Sequence, residues 1–407
     1  MANLKLKNVS KIYPSGELAL YKCNLEFGDG EFVAVVGGEK CGKSTLLKVV
    51  AGVEEVTEGE IEVGGKDVTQ VDTKDRDIAM IFQGGSLYQS LNVYDNMSFG
   101  LKIRKTSNTV IEQRVKAAAE ILGLSDVLFR KPKTLTAEQK QRVAFGRAIV
   151  REPKLYLLDD PLSGIAAEAR ENLRSVLINL QIRMNGTFIY ACKNVNEALT
   201  MATRVIVLRN GFVQQSDTPA NLYDYPANAY VAFTIGSPTV NFVNGAEIVV
   251  EDGAAYAVAE GVKFPLPENI VKRFTAIQEY AGTGKKIILG IRPEDTSVGE
   301  GGLFKAKVTA AEEICGTLYA ECDCGKLSFV VRADKAAKGD EAEVCADMTH
   351  ALIFDAETRL TLLERDGGYV KTDSPDADFK PLSYGEEETL KKKFSLSDAG
   401  KNKKNKK

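Results

Sequence analysis

Along the first 235 residues, hydrophobic positions come in short apolar runs that alternate with helical stripes. Glu31–Val36 (EFVAVV) is one such run, ending in glycines, and Ser44–Val50 after it takes up helical spacing. Leu155–Leu158, Thr187–Ala191 (TFIYA) and Arg204–Leu208 (RVIVL) read as further buried strands, the first of them followed by two acids. Across Glu168–Arg183 the helical period places Ala169, Leu173, Val176, Leu177 and Leu180 on one face. Apolar strands separated by helices predict an α/β domain built on a largely parallel sheet.

From about residue 240 the texture changes. Short alternating stretches such as Lys305–Ala310, Lys326–Val331 and Thr358–Leu363 are separated by Gly, Asp and Lys, which predicts a small all-β barrel or sandwich. After about residue 366 apolar residues become sparse and the chain ends KNKKNKK, a composition expected to stay disordered. Those lysines read as a solvated, solubilising end, with a nucleic-acid or lipid contact as the alternative.

A chain of 407 residues predicts two or three compact units. A net charge of -3 gives no overall pull toward nucleic acid or anionic lipid. No apolar run is long enough to span a bilayer, and Met1–Tyr13 lacks a secretory apolar core, so a cytoplasmic location is expected. The seven cysteines show no recognised zinc spacing; Cys322 and Cys324, with Cys315 and Cys345 nearby, read as reduced thiols on strands, a metal site being the alternative.

The chemistry is concentrated at Gly37-Gly38-Glu39-Lys40-Cys41-Gly42-Lys43-Ser44-Thr45, which satisfies G-x-x-x-x-G-K-[ST] with strand before and helix after. Backbone N–H groups of such a loop wrap phosphates, and the helix N-terminus adds its dipole. Lys43 is expected to reach the β- and γ-phosphates of ATP, and the Ser44 hydroxyl to hold Mg²⁺. Asp159, at the carboxyl end of an apolar strand and followed by Asp160-Pro161, is the expected partner for that Mg²⁺.

With these residues in place, the chain resembles the ATP-binding subunits of ABC transporters of the maltose and glycerol-3-phosphate importer class, over roughly residues 3–365. VSKIYPSGELAL is similar to the family's opening segment, whose aromatic, here Tyr13, stacks on adenine. RDIAMIFQ leads to Gln83, matching the glutamine that senses the γ-phosphate and Mg²⁺, and LYQSLNVYDNMSFGL resembles the start of the helical subdomain that meets the membrane subunits. EQKQRVAFGRAIVREPKLYLLDDPLS resembles the signature helix and the second nucleotide motif. IGSPTVNFV and ILGIRPED are similar to parts of the family's C-terminal regulatory barrel. The resemblance implies a P-loop NTPase domain over residues 1–235 with an inserted helical subdomain at about 87–150, and an OB-like β-barrel over 236–365. It also implies ATP and Mg²⁺ as ligands, and as partners the importer's transmembrane subunits and a second ATP-binding subunit, rather than nucleic acid. The location it implies is peripheral, on the inner face of the cell membrane.

Several positions depart from the family pattern. In the family, two subunits sandwich two ATP molecules between one chain's phosphate loop and the other's LSGGQ signature. Here the signature reads Leu135-Thr136-Ala137-Glu138-Gln139, so Ala137 crowds the approach to the partner's γ-phosphate and Glu138 brings a carboxylate to it. At about 5 Å and an effective dielectric near 20, a unit of like charge costs roughly 3 kcal/mol, about a hundredfold in the closed sandwich. The general-base glutamate is Asp160, shorter by about 1.5 Å, and a misplacement of about 1 Å costs on the order of 10² in rate. The switch histidine is Lys193, which has no acceptor with which to orient water. The aspartate of the coupling loop is gone, leaving Gly164-Ile165-Ala166-Ala167. In the phosphate loop, Glu39 and Lys40 replace Ser and Gly, which is expected to lower ATP affinity without abolishing binding. Gln89 replaces a proline in the segment that meets the membrane subunits.

Three functions remain open on this reading. The first is a subunit that binds ATP and hydrolyses it weakly or not at all. The second is a slow ATPase motor using Asp160 and Lys193 in altered roles. The third is a regulatory scaffold freed from transport.

Overall fold

The computed structural model describes residues 3–83, 87–314, 316–335, 339–366 and 368. The lysine-rich tail and Cys315 lie outside the described residues. Contacts divide the chain into two compact units, one ending at Pro219 and the next beginning at Ala220.

In the first unit, a six-stranded sheet runs in the order Phe212–Asp217, Arg204–Arg209, Phe32–Gly37, Thr187–Ala191, Leu155–Asp159, Ile78–Ile81. All of its pairings are parallel except that of the edge strand Phe212–Asp217. Leu155–Asp159 and Thr187–Ala191 are buried at every position, as expected of parallel strands covered on both faces. A second, antiparallel sheet holds Leu18–Phe27, Leu4–Ile12, Glu58–Val63 and Lys66–Asp67 in that order. The helix Lys43–Ala51 contributes Leu46, Leu47, Val49 and Val50 to a core shared with Leu4 and Leu6 of the second sheet and Val33 and Val35 of the first. The register sets Val35 and Asp159 each opposite Ala191, and Leu158 opposite Ile81. Four carboxyl-terminal strand ends therefore lie side by side, the place where open α/β sheets bind ligands.

Three helices, Val93–Ile103, Asn108–Ile121 and Ala137–Ile149, fill most of the span between Ile81 and Leu155. Two of them approach closely at Gly146, where an added Cβ would sit 2.7 Å from Met97 Cε. On Ala167–Met184, Leu173, Leu177 and Leu180 are buried as the period predicts, while Ala169 and Val176 are half-buried. Among the described residues, no helix is long and apolar enough to cross a membrane.

The second unit is more than a single barrel. A five-stranded sheet runs Val262–Leu266, Ala254–Ala259, Asn241–Glu251, Lys286–Ile291, Leu352–Asp355, and a closed barrel joins Thr296–Val298, Leu327–Arg332, Thr317–Cys324, Phe304–Ile314 and Glu341–Ala346. One core spans both, with Phe264 of the sheet stacked on Phe329 of the barrel at 6.3 Å between ring centres. Thr358–Leu363, read from sequence as one of the alternating stretches of a β domain, makes only isolated bridges at Leu360 and Thr361. The reason is local: Asp355 Oδ1 accepts from the Glu357 and Thr358 N–H groups at 3.1 and 2.6 Å, a side-chain turn that diverts the backbone from a ladder. Cys322 is buried and Cys324 and Cys345 are half-buried free thiols. Among the described residues, no group of three or more His, Cys, Asp or Glu is placed to hold a metal.

Candidate functional site

The loop between Phe32–Gly37 and Lys43–Ala51 needs glycine where the chain turns. At Gly37, φ is 147° and a Cβ would lie 2.0 Å from the Leu208 carbonyl oxygen; at Gly42, φ is 108° and a Cβ would lie 2.4 Å from that of Ala19. Gly42 caps the helix with no side-chain hydrogen bond, so no side chain claims the amides of the first turn. Lys43 folds back over the loop, donating to the carbonyl oxygens of Gly37 and Gly38 at 2.8 and 2.7 Å. Its ammonium is thereby held where a polyphosphate would run.

Ser44, on the helix, donates to Asp159 Oδ1 at 2.7 Å across the gap to the neighbouring strand end. One hydroxyl and one carboxylate fit a hard cation that takes its remaining oxygens from phosphate and water; such a cation needs no all-protein cage. Asp160 follows with φ at 47°, a left-handed conformation that Asp tolerates better than most residues, and its N–H donates to the Ala191 carbonyl at 2.8 Å. Burial pushes the Asp160 carboxyl above its ordinary value, while the Lys193 ammonium and a hydrogen bond with Ser163 work the other way. Ser163 also accepts from Gln83 Nε2 at 3.2 Å. This serine joins the glutamine to the acid, and sequence reading passed over it because serine in a loop carries no spacing signal.

Tyr13 closes another side, its hydroxyl 3.2 Å from Thr45 Oγ1 and its ring 5.1 Å from Lys11 Nζ. Lys193 follows the strand Thr187–Ala191 and the buried Cys192, just before the helix capped by Asn194. Its ammonium pairs with Glu39 Oε1 at 2.8 Å. The pair lowers the Glu39 carboxyl and raises the Lys193 amine from their ordinary values. The partner of Glu39 is thus 154 positions away in the chain, not its charged neighbour Lys40. Lys40 has φ at 56°.

Together, Tyr13, Lys43, Ser44, Gln83, Asp159, Asp160 and Lys193 line one cleft of about 380 Å³, with Glu39, Lys40, Cys41, Gly42 and Thr45 along its wall. The signature residues are elsewhere. Thr136 caps the helix Ala137–Ile149 in a capping box, its Oγ1 accepting from the Gln139 N–H and Gln139 Oε1 accepting from the Thr136 N–H, both at 3.1 Å. Leu135 is buried, and Ala137 and Glu138 form the first turn. Glu138 does not stand alone: its Oε1 accepts from Arg142 Nη2 at 2.6 Å, and Arg142 Nη1 donates to the Leu122 carbonyl at 3.0 Å. The carboxylate charge at this helix start is thus paired, a partner one turn along the helix that the motif comparison left out.

Comparison with known proteins places this geometry. Residues 20–163 match the ABC transporter family and residues 236–296 the MalK OB fold domain. The chain is 40% identical over 375 residues to the oligosaccharides import ATP-binding protein MsmX of Bacillus subtilis, covering 89% of this chain and 100% of that protein. It is 41% identical over 362 residues to the sn-glycerol-3-phosphate import ATP-binding protein UgpC of Burkholderia thailandensis, covering 88% and 99%. The solved structure of cbiO1 from Clostridium perfringens, part of the ABC transporter complex cbiONQ, superposes with a TM-score of 0.50 at 27% identity, over 54% of this chain and 90% of that one. With relatives at this identity spanning nearly their whole length, the chain belongs to the ATP-binding subunits of ABC transporters that carry a MalK-type OB domain.

Proposed function

We propose that this protein is the ATP-binding subunit of a carbohydrate importer, that it binds ATP with Mg²⁺, and that it hydrolyses ATP weakly or not at all. The carrying observation is that Lys43, Ser44 and Asp159 share a cleft with Asp160 and Lys193, which stand where the family keeps its general base and switch histidine. Lys43 and the loop amides would bind the triphosphate, and Tyr13 would take the adenine. Ser44 and Asp159 would hold Mg²⁺, which supplies charge neutralisation at the phosphates when bound. Asp160 is a short carboxylate for positioning water, and the Lys193 ammonium is a donor only.

Names of the relatives, importers of oligosaccharides and of sn-glycerol-3-phosphate, support the carbohydrate assignment. In an importer of this family its partners would be a second ATP-binding subunit and transmembrane subunits, with the protein peripheral on the cytoplasmic face. A groove of about 440 Å³ lined by Tyr88, Phe99, Ile103 and Arg147 is the surface we assign to the membrane subunits. Tyr88 packs on Phe99 at 4.6 Å and Arg147 covers the Tyr88 ring at 4.6 Å, a firm aromatic floor that leaves Ile103 exposed.

The test is steady-state ATP hydrolysis by purified protein at high concentration beside a Lys43→Ala control. A rate equal to the control, with ATP binding confirmed, supports this reading. A rate clearly above it favours the slow-motor reading, in which Asp160 and Lys193, both lining the cleft, take altered roles.

A further inference from the structure

Two of the departures from the family pattern meet each other. Glu39 replaces a small residue of the phosphate loop and Lys193 replaces the switch histidine, and their side chains pair at 2.8 Å on the wall of the nucleotide cleft. Neither is fixed by packing, for the side chains are 81% and 62% exposed. What is fixed is the backbone beneath each. Glu39 rides on a loop held by the close approaches at Gly37 and Gly42. Lys193 sits between Cys192, whose N–H donates to the Val35 carbonyl at 3.2 Å, and Asn194, whose Oδ1 caps the following helix. The pair is therefore preset in position yet weak enough to exchange, since an exposed ion pair contributes little by itself.

We propose that Glu39 is a positioning residue that holds Lys193 on the cleft wall until a nucleoside triphosphate displaces it, so that the pair sets the preference for ATP over ADP. This rests on the ATP-binding reading above. A triphosphate offers the Lys193 ammonium a partner of higher charge than one carboxylate, and a diphosphate lacks the terminal group that competes for it. Release of Lys193 leaves the Glu39 carboxylate facing the polyphosphate with only Lys40 and Lys43 to offset it; both cations already lower its protonation. Glu39 thus opposes ATP binding chiefly by occupying Lys193, its own charge being offset by Lys40 and Lys43. Removing the carboxylate should free Lys193 for the terminal phosphate and favour ATP more than ADP.

The experiment is calorimetric titration of ATP and of ADP, each with Mg²⁺, into the full chain and into Glu39→Gln, Lys193→Met and the double variant, with thermal melts to confirm folding. Glu39→Gln should tighten ATP about five-fold and ADP less than about two-fold; Lys193→Met should weaken ATP about five-fold; and adding Glu39→Gln to Lys193→Met should recover less than about two-fold. The single-site gain should shrink as salt is raised. Equal tightening of ATP and ADP, or a Glu39→Gln effect that is the same with Met at position 193, overturns this inference alone. Binding of neither nucleotide to the unaltered chain overturns the ATP-binding reading, and this inference with it.

Discussion

Ser44 Oγ and Asp159 Oδ1 lie 2.7 Å apart although 115 positions separate them in the chain. The hydrogen bond ties the first turn of the helix after the phosphate loop to the carboxyl end of a buried strand. It sets a hydroxyl and a carboxylate side by side in the arrangement a Mg²⁺–phosphate complex uses.

Replacing Ser44 by Ala, or Asp159 by Asn, should therefore remove the Mg²⁺ dependence of ATP binding. In the unaltered protein, chelating Mg²⁺ should weaken ATP about ten-fold; in either variant the two conditions should differ by less than about two-fold. Nucleotide titrations with and without chelator measure this. A variant that keeps the full Mg²⁺ effect would remove the residue it changes from the ion's coordination.

Restoring the family's residues should restore turnover in combination rather than singly. Asp160→Glu alone should stay near the Lys43→Ala background, because on the proposed reading Ala137 and Glu138 would still meet the partner's nucleotide and Lys193 still lacks an acceptor. The combined Ala137→Gly, Glu138→Gly, Asp160→Glu and Lys193→His chain should exceed background by on the order of 10², read by phosphate release. Full activity from Asp160→Glu alone would show that the signature departures are harmless.

The buried character of Asp160 predicts a pH-dependent stability difference. Its folded value lies above the ordinary 3.8, chiefly through burial, so the folded chain binds this proton more tightly than the unfolded chain. That contribution is present below 3.8 and is lost as pH rises through the folded value. Asp160→Asn, which cannot ionise, should melt about 1–2 °C higher than the unaltered protein at neutral pH. The advantage should narrow as pH falls toward 3.8. The gain is small because Lys193 and Ser163 already favour the ionised form. Differential scanning calorimetry across this range checks both the sign and the trend.

Arg142 bridges the signature turn to the preceding helical segment through Glu138 and the Leu122 carbonyl. Arg142→Met keeps the length of the apolar stem and leaves both acceptors without this donor. It should cost about 1–2 kcal/mol in urea unfolding. Glu138→Gln should cost less, about 0.5 kcal/mol, as it removes only the charge of a half-buried pair one turn apart and can keep a hydrogen bond. Equal costs for the two would place the stabilisation in the charge pair rather than in the Leu122 contact.

Much of the first unit was legible because its signals are local. Apolar runs at Glu31–Val36, Leu155–Leu158, Thr187–Ala191 and Arg204–Leu208 are each long enough to name a strand, and parallel strands buried on both faces leave no ambiguity of face. The second unit was legible as β and not as two joined layers, since alternation names an inward face without saying whether a sheet or a barrel supplies it.

By itself, the sequence determined that a phosphate loop stands between a strand and a helix, that Asp159 and Asp160 end another strand, and that Glu39, Ala137, Glu138, Asp160 and Lys193 break the family's pattern. These follow from residue type and short spacing. Only the tertiary structure decided which of those residues face one another. It brought Lys193 to Glu39, Gln83 to Ser163 and Ser44 to Asp159. The physical reason is that the register of parallel strands places the ends of distant segments side by side. A charge's partner is fixed by that register and not by its neighbours along the chain.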